Sequence, residues 1–129
     1  MARSAVMLRQ ACRLIPFERS IPAGVQISAE LVWRREGWLE LSYGVLARAA
    51  KGIGVLKLPA GLKDGPQQGQ RKDELWTTTC FEAFISAPGE ERYWEVNLAA
   101  NGDWALYRFD GYRSGQMQQE LNTPPTVQL

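Results

Sequence analysis

The sequence predicts an all-β protein, and three observations support this. Apolar residues recur at every second position in several runs, which is the spacing of a strand with one buried face. Clusters of Gly, Pro and Asn separate those runs, as turns require. The chain has 129 residues, 45% of them hydrophobic and 22% charged. This length and composition indicate a single globular domain over residues 1–129.

The first two strands are predicted as a hairpin. Apolar residues alternate over residues 25–33 and again over 39–45. Between them lies the segment 35–37, which we expect to form a three-residue loop with Gly37 in the left-handed conformation. In this register, side chains that share one face lie opposite each other. The expected pairs are Trp33 with Leu39, Leu31 with Leu41, and Ile27 with Val45.

Four further strands are predicted along the rest of the chain. The first covers residues 53–58 and stops at Pro59, and the others cover residues 77–86, 92–98 and 104–110. Residues 59–73 are rich in Gly, Gln and charge and show no periodicity. A loop of that length is either mobile or a binding loop, and we expect it to be mobile.

The dipeptide Asn101-Gly102 predicts a two-residue type I′ turn between the last two strands. That turn predicts one face that is almost wholly apolar and is expected to point to the core. Its pairs are Ala100 with Asp103, Leu98 with Ala105, Val96 with Tyr107, and Trp94 with Phe109.

The opposite face of this predicted sheet is the candidate binding surface. An even-length loop at Pro88-Gly89 would place Phe81, Ala83 and Ile85 on the core side and Glu82 beside Glu95. Sugars bind to such mixed faces, because their C–H faces stack on aromatic rings and their hydroxyls pair with polar groups. The alternative is a solvated surface with an ordinary Glu95–Arg108 ion pair. The face would collect Glu82, Tyr93, Glu95, Asn97, Trp104 and Arg108.

Composition excludes several functions. The chain has no histidine, which removes Ser-His-Asp and Cys-His catalysis and His-ligated zinc or haem from it. A net charge of +1 gives no electrostatic basis for binding nucleic acid or an anionic membrane. Cys12 and Cys80 form no CxxC motif, and we expect buried thiols, with one disulfide as the alternative. No apolar run is long enough to cross a bilayer and the N-terminus makes a poor signal peptide, so a cytoplasmic protein is expected.

Three segments within residues 73–115 carry a resemblance to a known family: LWTTTCFEAF, YWEVNL and NGDWALYRFDGYR. They resemble the DOMON-like proteins of bacteria, which are related to family 9 carbohydrate-binding modules. The resemblance implies an antiparallel β-sandwich of jelly-roll or immunoglobulin-like type that binds a small molecule or carbohydrate without catalysis. It adds Trp76 to the candidate ligand-binding residues and favours Trp76 and Trp104 over Trp94.

The sequence departs from this family in two ways. Family members continue beyond the position of Leu129, so we expect a fragment, a shortened product or a domain completed by a partner, and homo-oligomerisation would follow from the open sheet edges. Haem-binding relatives use Met and His ligands, but here only Met1, Met7 and Met117 are present, so haem is not expected. Calcium is possible, with oxygen ligands from Asp73, Glu74, Asp103 and Asp110, although turn-capping is the commoner role of such residues.

A retaining glycosidase is the enzymatic alternative. Glu82 and Glu95 as cross-strand neighbours would lie near the carboxylate separation that such enzymes use. Arg108 beside Glu95 argues against it, because a guanidinium lowers the pKa of a carboxyl group and makes it a poor general acid. The sequence therefore favours a non-catalytic binding protein, with a structural or interaction domain as the other alternative.

Overall fold

Seven β-strands are present in the computed structural model, which describes residues 3–17, 24–48 and 56–129. The same residues contain two short 3-10 turns and no α-helix, so the all-β prediction is confirmed. The strands are β1 (Val6–Leu14), β2 (Val25–Arg34), β3 (Leu39–Ala47), β4 (Cys80–Ser86), β5 (Tyr93–Ala99), β6 (Trp104–Phe109) and β7 (Met117–Gln118).

The chain divides into two units, each with its own antiparallel sheet. Unit 1 is Met1–Val55 and holds a sheet of order β1-β2-β3. Unit 2 is Leu56–Leu129 and holds a sheet of order β4-β5-β6-β7. Consecutive strands are neighbours in both sheets, as expected for hairpin connections.

The predicted hairpin of unit 1 is confirmed in its register. Ile27 pairs with Val45, Leu31 with Leu41, and Trp33 with Leu39. Gly37 has a φ of 81°, and Glu36 before it also lies in the left-handed region at 74°. A hydrogen bond from the Arg34 backbone N–H to the Trp38 carbonyl, 2.8 Å long, closes the loop.

Strand β1 is not predicted from the sequence, although it pairs with β2 along most of its length. Every residue of β1 is exposed. A strand with no buried face needs no alternation of apolar and polar residues, which is the signal that strand prediction uses.

In unit 2 the predicted strands are present with small shifts. Strand β4 begins at Cys80 rather than at Thr77, because Leu75–Thr77 forms a 3-10 turn. Of the predicted strand 53–58, residues 53–55 lie outside the described residues and the remainder is not in a strand. Lys57 nevertheless accepts a backbone hydrogen bond of 2.8 Å from Thr79, at the start of β4.

The predicted register between β5 and β6 is wrong by one residue. Asn97 pairs with Ala105, Val96 with Leu106, and Glu95 with Tyr107. The connection is a three-residue loop, Ala100-Asn101-Gly102, closed by the Ala99 N–H donating to the Asp103 carbonyl at 2.8 Å. Only Gly102 has a positive φ, at 93°, so the turn is not of type I′. The shift of one residue moves every side chain of β6 to the face opposite the one predicted.

The sheet of unit 2 therefore has two faces that differ from the prediction. One of them, here called the carboxylate face, carries Cys80, Glu82, Phe84 and Ser86 of β4, Tyr93, Glu95, Asn97 and Ala99 of β5, and Ala105, Tyr107 and Phe109 of β6. The buried core cluster lies on this face, where Leu75 packs with Ala99, Ala105, Tyr107 and Phe109. Trp94, Val96 and Leu98, expected in the core, lie on the opposite face and are half-buried.

Residues 67–72 of the predicted loop run beside β6. Gln70 and Lys72 form backbone hydrogen bonds of 3.0 and 2.9 Å with Trp104, and Gly69 donates to Gly102 at 3.0 Å. A Cβ at Gly69 would lie 2.4 Å from the backbone of Asp103, so only glycine fits this approach. The expectation that 59–73 is mobile stays a prediction.

Candidate functional site

Four of the predicted site residues come together on the carboxylate face. Glu82 lies opposite Asn97, and Glu95 lies opposite Phe84, so the two glutamates are diagonal neighbours. The Asn97 amide donates to Glu95 Oε1 at 3.3 Å. Tyr93 lies two residues before Glu95 and shares its face. The even loop between β4 and β5 that the sequence predicted is therefore confirmed.

The remaining predicted site residues lie elsewhere. Trp104 and Arg108 point to the opposite face, so the predicted Glu95–Arg108 pair is wrong. Trp104 is only 6% exposed, and the Arg71 guanidinium lies 4.3 Å from the centre of its ring. Arg108 donates to the sulfur of Met117 at 3.3 Å. Trp76 is 64% exposed in the 3-10 turn before β4.

The electrostatics of the carboxylate face favour neutral groups. Burial raises the pKa of Glu95 above its ordinary value of 4.5, and the charge on Glu82 adds to this, while the hydrogen bond from Asn97 acts in the other direction. Burial and Glu82 together raise the pKa of the Cys80 thiol to about 11. Asn97 is 4% exposed, and its buried Oδ1 has no hydrogen-bond partner among the described residues. A polar ligand atom that donates to this face would relieve that cost.

One end of the carboxylate face opens into a cavity of about 590 Å³, here called the aromatic cavity. The rings of Tyr93 and Phe109 stack with their centres 4.8 Å apart and an interplanar angle of 7°. Phe84 is 63% exposed and lies 6.2 Å from Tyr93, tilted by 57°. Tyr112, 81% exposed, completes the set of four aromatic residues that line it: Phe84, Tyr93, Phe109 and Tyr112.

A short turn after β6 positions Tyr112 and Arg113 at the cavity. The Ser114 N–H donates to the Gly111 carbonyl at 3.1 Å, and Arg113 takes a left-handed φ of 52°. The backbone N–H of Arg113 donates to the Tyr93 hydroxyl at 3.2 Å. This hydrogen bond ties the turn to β5, so the cavity wall is held by the sheet as well as by the turn.

The charged residues around the aromatic cavity are mostly acidic. Glu90, Glu91 and Glu95 line it together with a single cation, Arg113. The ion pairs among the described residues all lie elsewhere, at Arg3–Glu40, Arg9–Glu30, Arg34–Glu40 and Lys72–Asp103. These three carboxyl groups are therefore not neutralised by a neighbouring lysine or arginine in the part of the chain that is described.

Sequence reasoning found Tyr93 and Glu95 but not the turn residues of the cavity. Glu90, Glu91, Tyr112 and Arg113 lie in connections, where alternation carries no information about which side a residue faces. The available signal is the pair of glycines at 111 and 115, which marks a tight turn after a strand. Phe109 was expected in the core, and it is both a core residue and a cavity wall.

A second cavity of about 520 Å³ lies on the three-stranded sheet, around Cys12, Ser28 and Tyr43. Its walls are mainly small side chains with one aromatic ring, so it offers little surface for stacking. Cys12 is exposed, contrary to the expectation of a buried thiol, and both cysteines are free.

Within the described ranges, no group of three or more His, Cys, Asp or Glu could hold a metal ion. Two of the calcium candidates have other partners: Asp73 accepts a hydrogen bond from the Tyr107 hydroxyl, and Asp103 accepts one from the Gln70 N–H at 2.9 Å. Of the methionines considered for haem, Met1 lies outside the described residues, and Met7 and Met117 are exposed. No described helix has the length and apolar character needed to span a membrane.

Comparison of the chain with family models, with curated proteins and with solved structures finds no match.

Proposed function

We propose that this protein is a non-catalytic carbohydrate-binding domain and that its sugar site is the aromatic cavity. One observation carries the proposal: four aromatic side chains and several polar groups converge at the open end of the carboxylate face. Exposed rings offer stacking surfaces for the C–H face of a pyranose, and carboxylates accept hydrogen bonds from its hydroxyls. The volume of about 590 Å³ falls within the usual range for small-ligand sites.

The fold assignment that accompanies this proposal is a bacterial, cytoplasmic, DOMON-like β-sandwich. Two antiparallel sheets support it, together with the three segments of residues 73–115 that carry the resemblance. The open edges of the sheets support homo-oligomerisation as part of the same proposal.

Two exposed aromatic residues provide the test. Tyr112→Ala and Phe84→Ala each remove one stacking surface, and we expect each to weaken binding of a short β-1,4-linked oligosaccharide about tenfold, measured by calorimetry. Trp38→Ala is the matched control, because Trp38 is equally exposed but lies in the other sheet. Unchanged affinity in both cavity variants would contradict the proposed site.

Glycoside hydrolysis is a second candidate, because the register removes the argument that counted against it. Arg108 does not lie beside Glu95, and the pKa of Glu95 is raised, as a general acid requires. Glu82 would then be the nucleophile. Turnover of chromogenic glycosides that is lost in Glu82→Gln would replace the non-catalytic proposal, whereas no turnover on a broad panel leaves it in place.

A further inference from the structure

We propose that the aromatic cavity selects saccharides that carry a protonated amino group, such as glucosamine units, over neutral or acidic sugars. This inference rests on the proposed function and names the ligand class of the same site. It follows from the charge of the lining, which a neutral sugar would not need.

The lining places three carboxyl groups against one guanidinium, at Glu90, Glu91, Glu95 and Arg113. Glu91 lies close to the Tyr112–Arg113 turn, since a Cβ at Gly111 would be 3.9 Å from Glu91 Oε2. None of the three has an ion-pair partner among the described residues. Uncompensated carboxylates attract a cationic ligand and repel an anionic one, so uronic acids are excluded and amino sugars are favoured.

Arg113 does not cancel this preference. Its guanidinium lies over the ring of Tyr112, 5.2 Å from the ring centre, and its backbone N–H is bound to the Tyr93 hydroxyl. Arg113 is exposed, so water screens its charge, whereas Glu95 is half-buried in the sheet. The carboxyl group deepest in the cavity is therefore acidic rather than basic in character.

The aromatic walls act in the same direction as the carboxylates. An ammonium group over the face of a Tyr or Phe ring is attracted by the ring quadrupole, and a hydrogen bond from an ammonium to a carboxylate is stronger than one from a hydroxyl. A neutral sugar gains only stacking and neutral hydrogen bonds in this cavity. An amino sugar gains both of these and the charge-assisted contacts.

The experiment compares three β-1,4-linked oligosaccharides of equal length by calorimetry at mildly acidic pH. They are oligomers of glucosamine, of N-acetylglucosamine and of glucose, of which only the first is cationic. We expect the glucosamine oligomer to bind at least about tenfold more tightly than the other two. We expect this advantage to fall several-fold in Glu91→Gln and to weaken with added salt.

Glu120→Gln is the matched control, since it removes the same charge from an exposed position of unit 2 outside the cavity. Equal affinity for the three oligomers, with loss of binding in Tyr112→Ala, would overturn this inference and leave the proposed function standing. An advantage that Glu120→Gln reduces as much as Glu91→Gln would also overturn it. No binding of any oligomer would overturn both.

Discussion

The β2–β3 hairpin and the β5–β6 hairpin turn through loops of the same length, with a glycine as the third residue of each. Gly37 has a φ of 81° and Gly102 a φ of 93°. The loops differ in their surroundings. No described heavy atom lies within 4 Å of a Cβ built at Gly37, whereas one built at Gly102 would lie 2.7 Å from the Gly69 nitrogen. Similar backbone turns thus serve an open loop in one unit and a packed one in the other.

The packed hairpin is held by a network of polar contacts. Asp103 accepts from the Gln70 N–H at 2.9 Å and forms an ion pair with Lys72 at 3.0 Å, and its own N–H donates to Asn101 Oδ1 at 3.1 Å. The Asn-Gly dipeptide is therefore explained by contacts of the asparagine side chain and not by a type I′ turn. In the open hairpin no such network surrounds Gly37.

The largest effect is expected at the two glycines. Gly102→Ala combines a left-handed alanine with a clash against the Gln68–Gly69 backbone and should destabilise the fold by about 3 kcal/mol. Gly37→Ala adds only the left-handed strain, about 1 kcal/mol. Urea unfolding followed by tryptophan fluorescence measures both, and equal losses would show that residues 67–69 do not pack on the loop.

The registers of the two hairpins were not equally predictable, and the reason lies in their patterning. In β2 and β3 the apolar residues alternate cleanly, so only one loop length keeps Leu31 opposite Leu41. In β6 both faces are apolar, with Trp104 and Leu106 on one and Tyr107 and Phe109 on the other. A shift of one residue there leaves the pattern equally apolar, so the choice depended on the turn alone.

The candidate site was predictable to the same extent. Glu82, Tyr93, Glu95 and Asn97 were placed correctly together because they lie on β4 and β5, where the predicted register is confirmed. Trp104 and Arg108 were misplaced because they lie on β6. The turn residues Tyr112 and Arg113 depend on tertiary contacts such as the bond to Tyr93, which no local pattern contains.

The second prediction compares one arginine from each sheet. Arg71→Ala removes a ring contact with Trp104 and hydrogen bonds to the carbonyls of Leu106 and Gln119, and should cost about 2 kcal/mol. Arg71→Lys should lose part of this, because lysine lacks the planar guanidinium.

Arg9→Ala is the contrasting change in unit 1. Arg9 pairs with Glu30 at 3.0 Å, but both side chains are largely exposed, so the cost should stay below about 0.5 kcal/mol. Thermal and urea unfolding measure these variants. A loss at Arg9 as large as the loss at Arg71 would remove the distinction between the packed and the open sheet.

The smallest effects are expected at two glutamates whose pKa values move in opposite directions. The folded protein binds the proton of Glu95 more tightly than the unfolded chain does, so its charge opposes folding above the folded pKa. Glu95→Gln should therefore raise the unfolding midpoint at neutral pH, and the gain should disappear below about pH 4.5, the ordinary value.

Glu40 behaves in the opposite way. The hydrogen bond and charge of Arg34 lower its pKa, so its charged form favours folding above the ordinary value of 4.5, and this contribution is lost as the pH falls through the folded pKa. Glu40→Gln should lower the midpoint at neutral pH. Unfolding curves of both variants across acidic and neutral pH test the signs, and shifts of the same sign would contradict this account.

The register of β5 and β6 underlies the whole account, because it places Glu95 on the face that opens into the aromatic cavity and moves Arg108 away from it. Cross-strand nuclear Overhauser contacts between backbone protons measure this register directly. The account predicts contacts between Glu95 and Tyr107 and between Asn97 and Ala105. Contacts between Val96 and Tyr107 and between Leu98 and Ala105 would instead show the two-residue turn and contradict it.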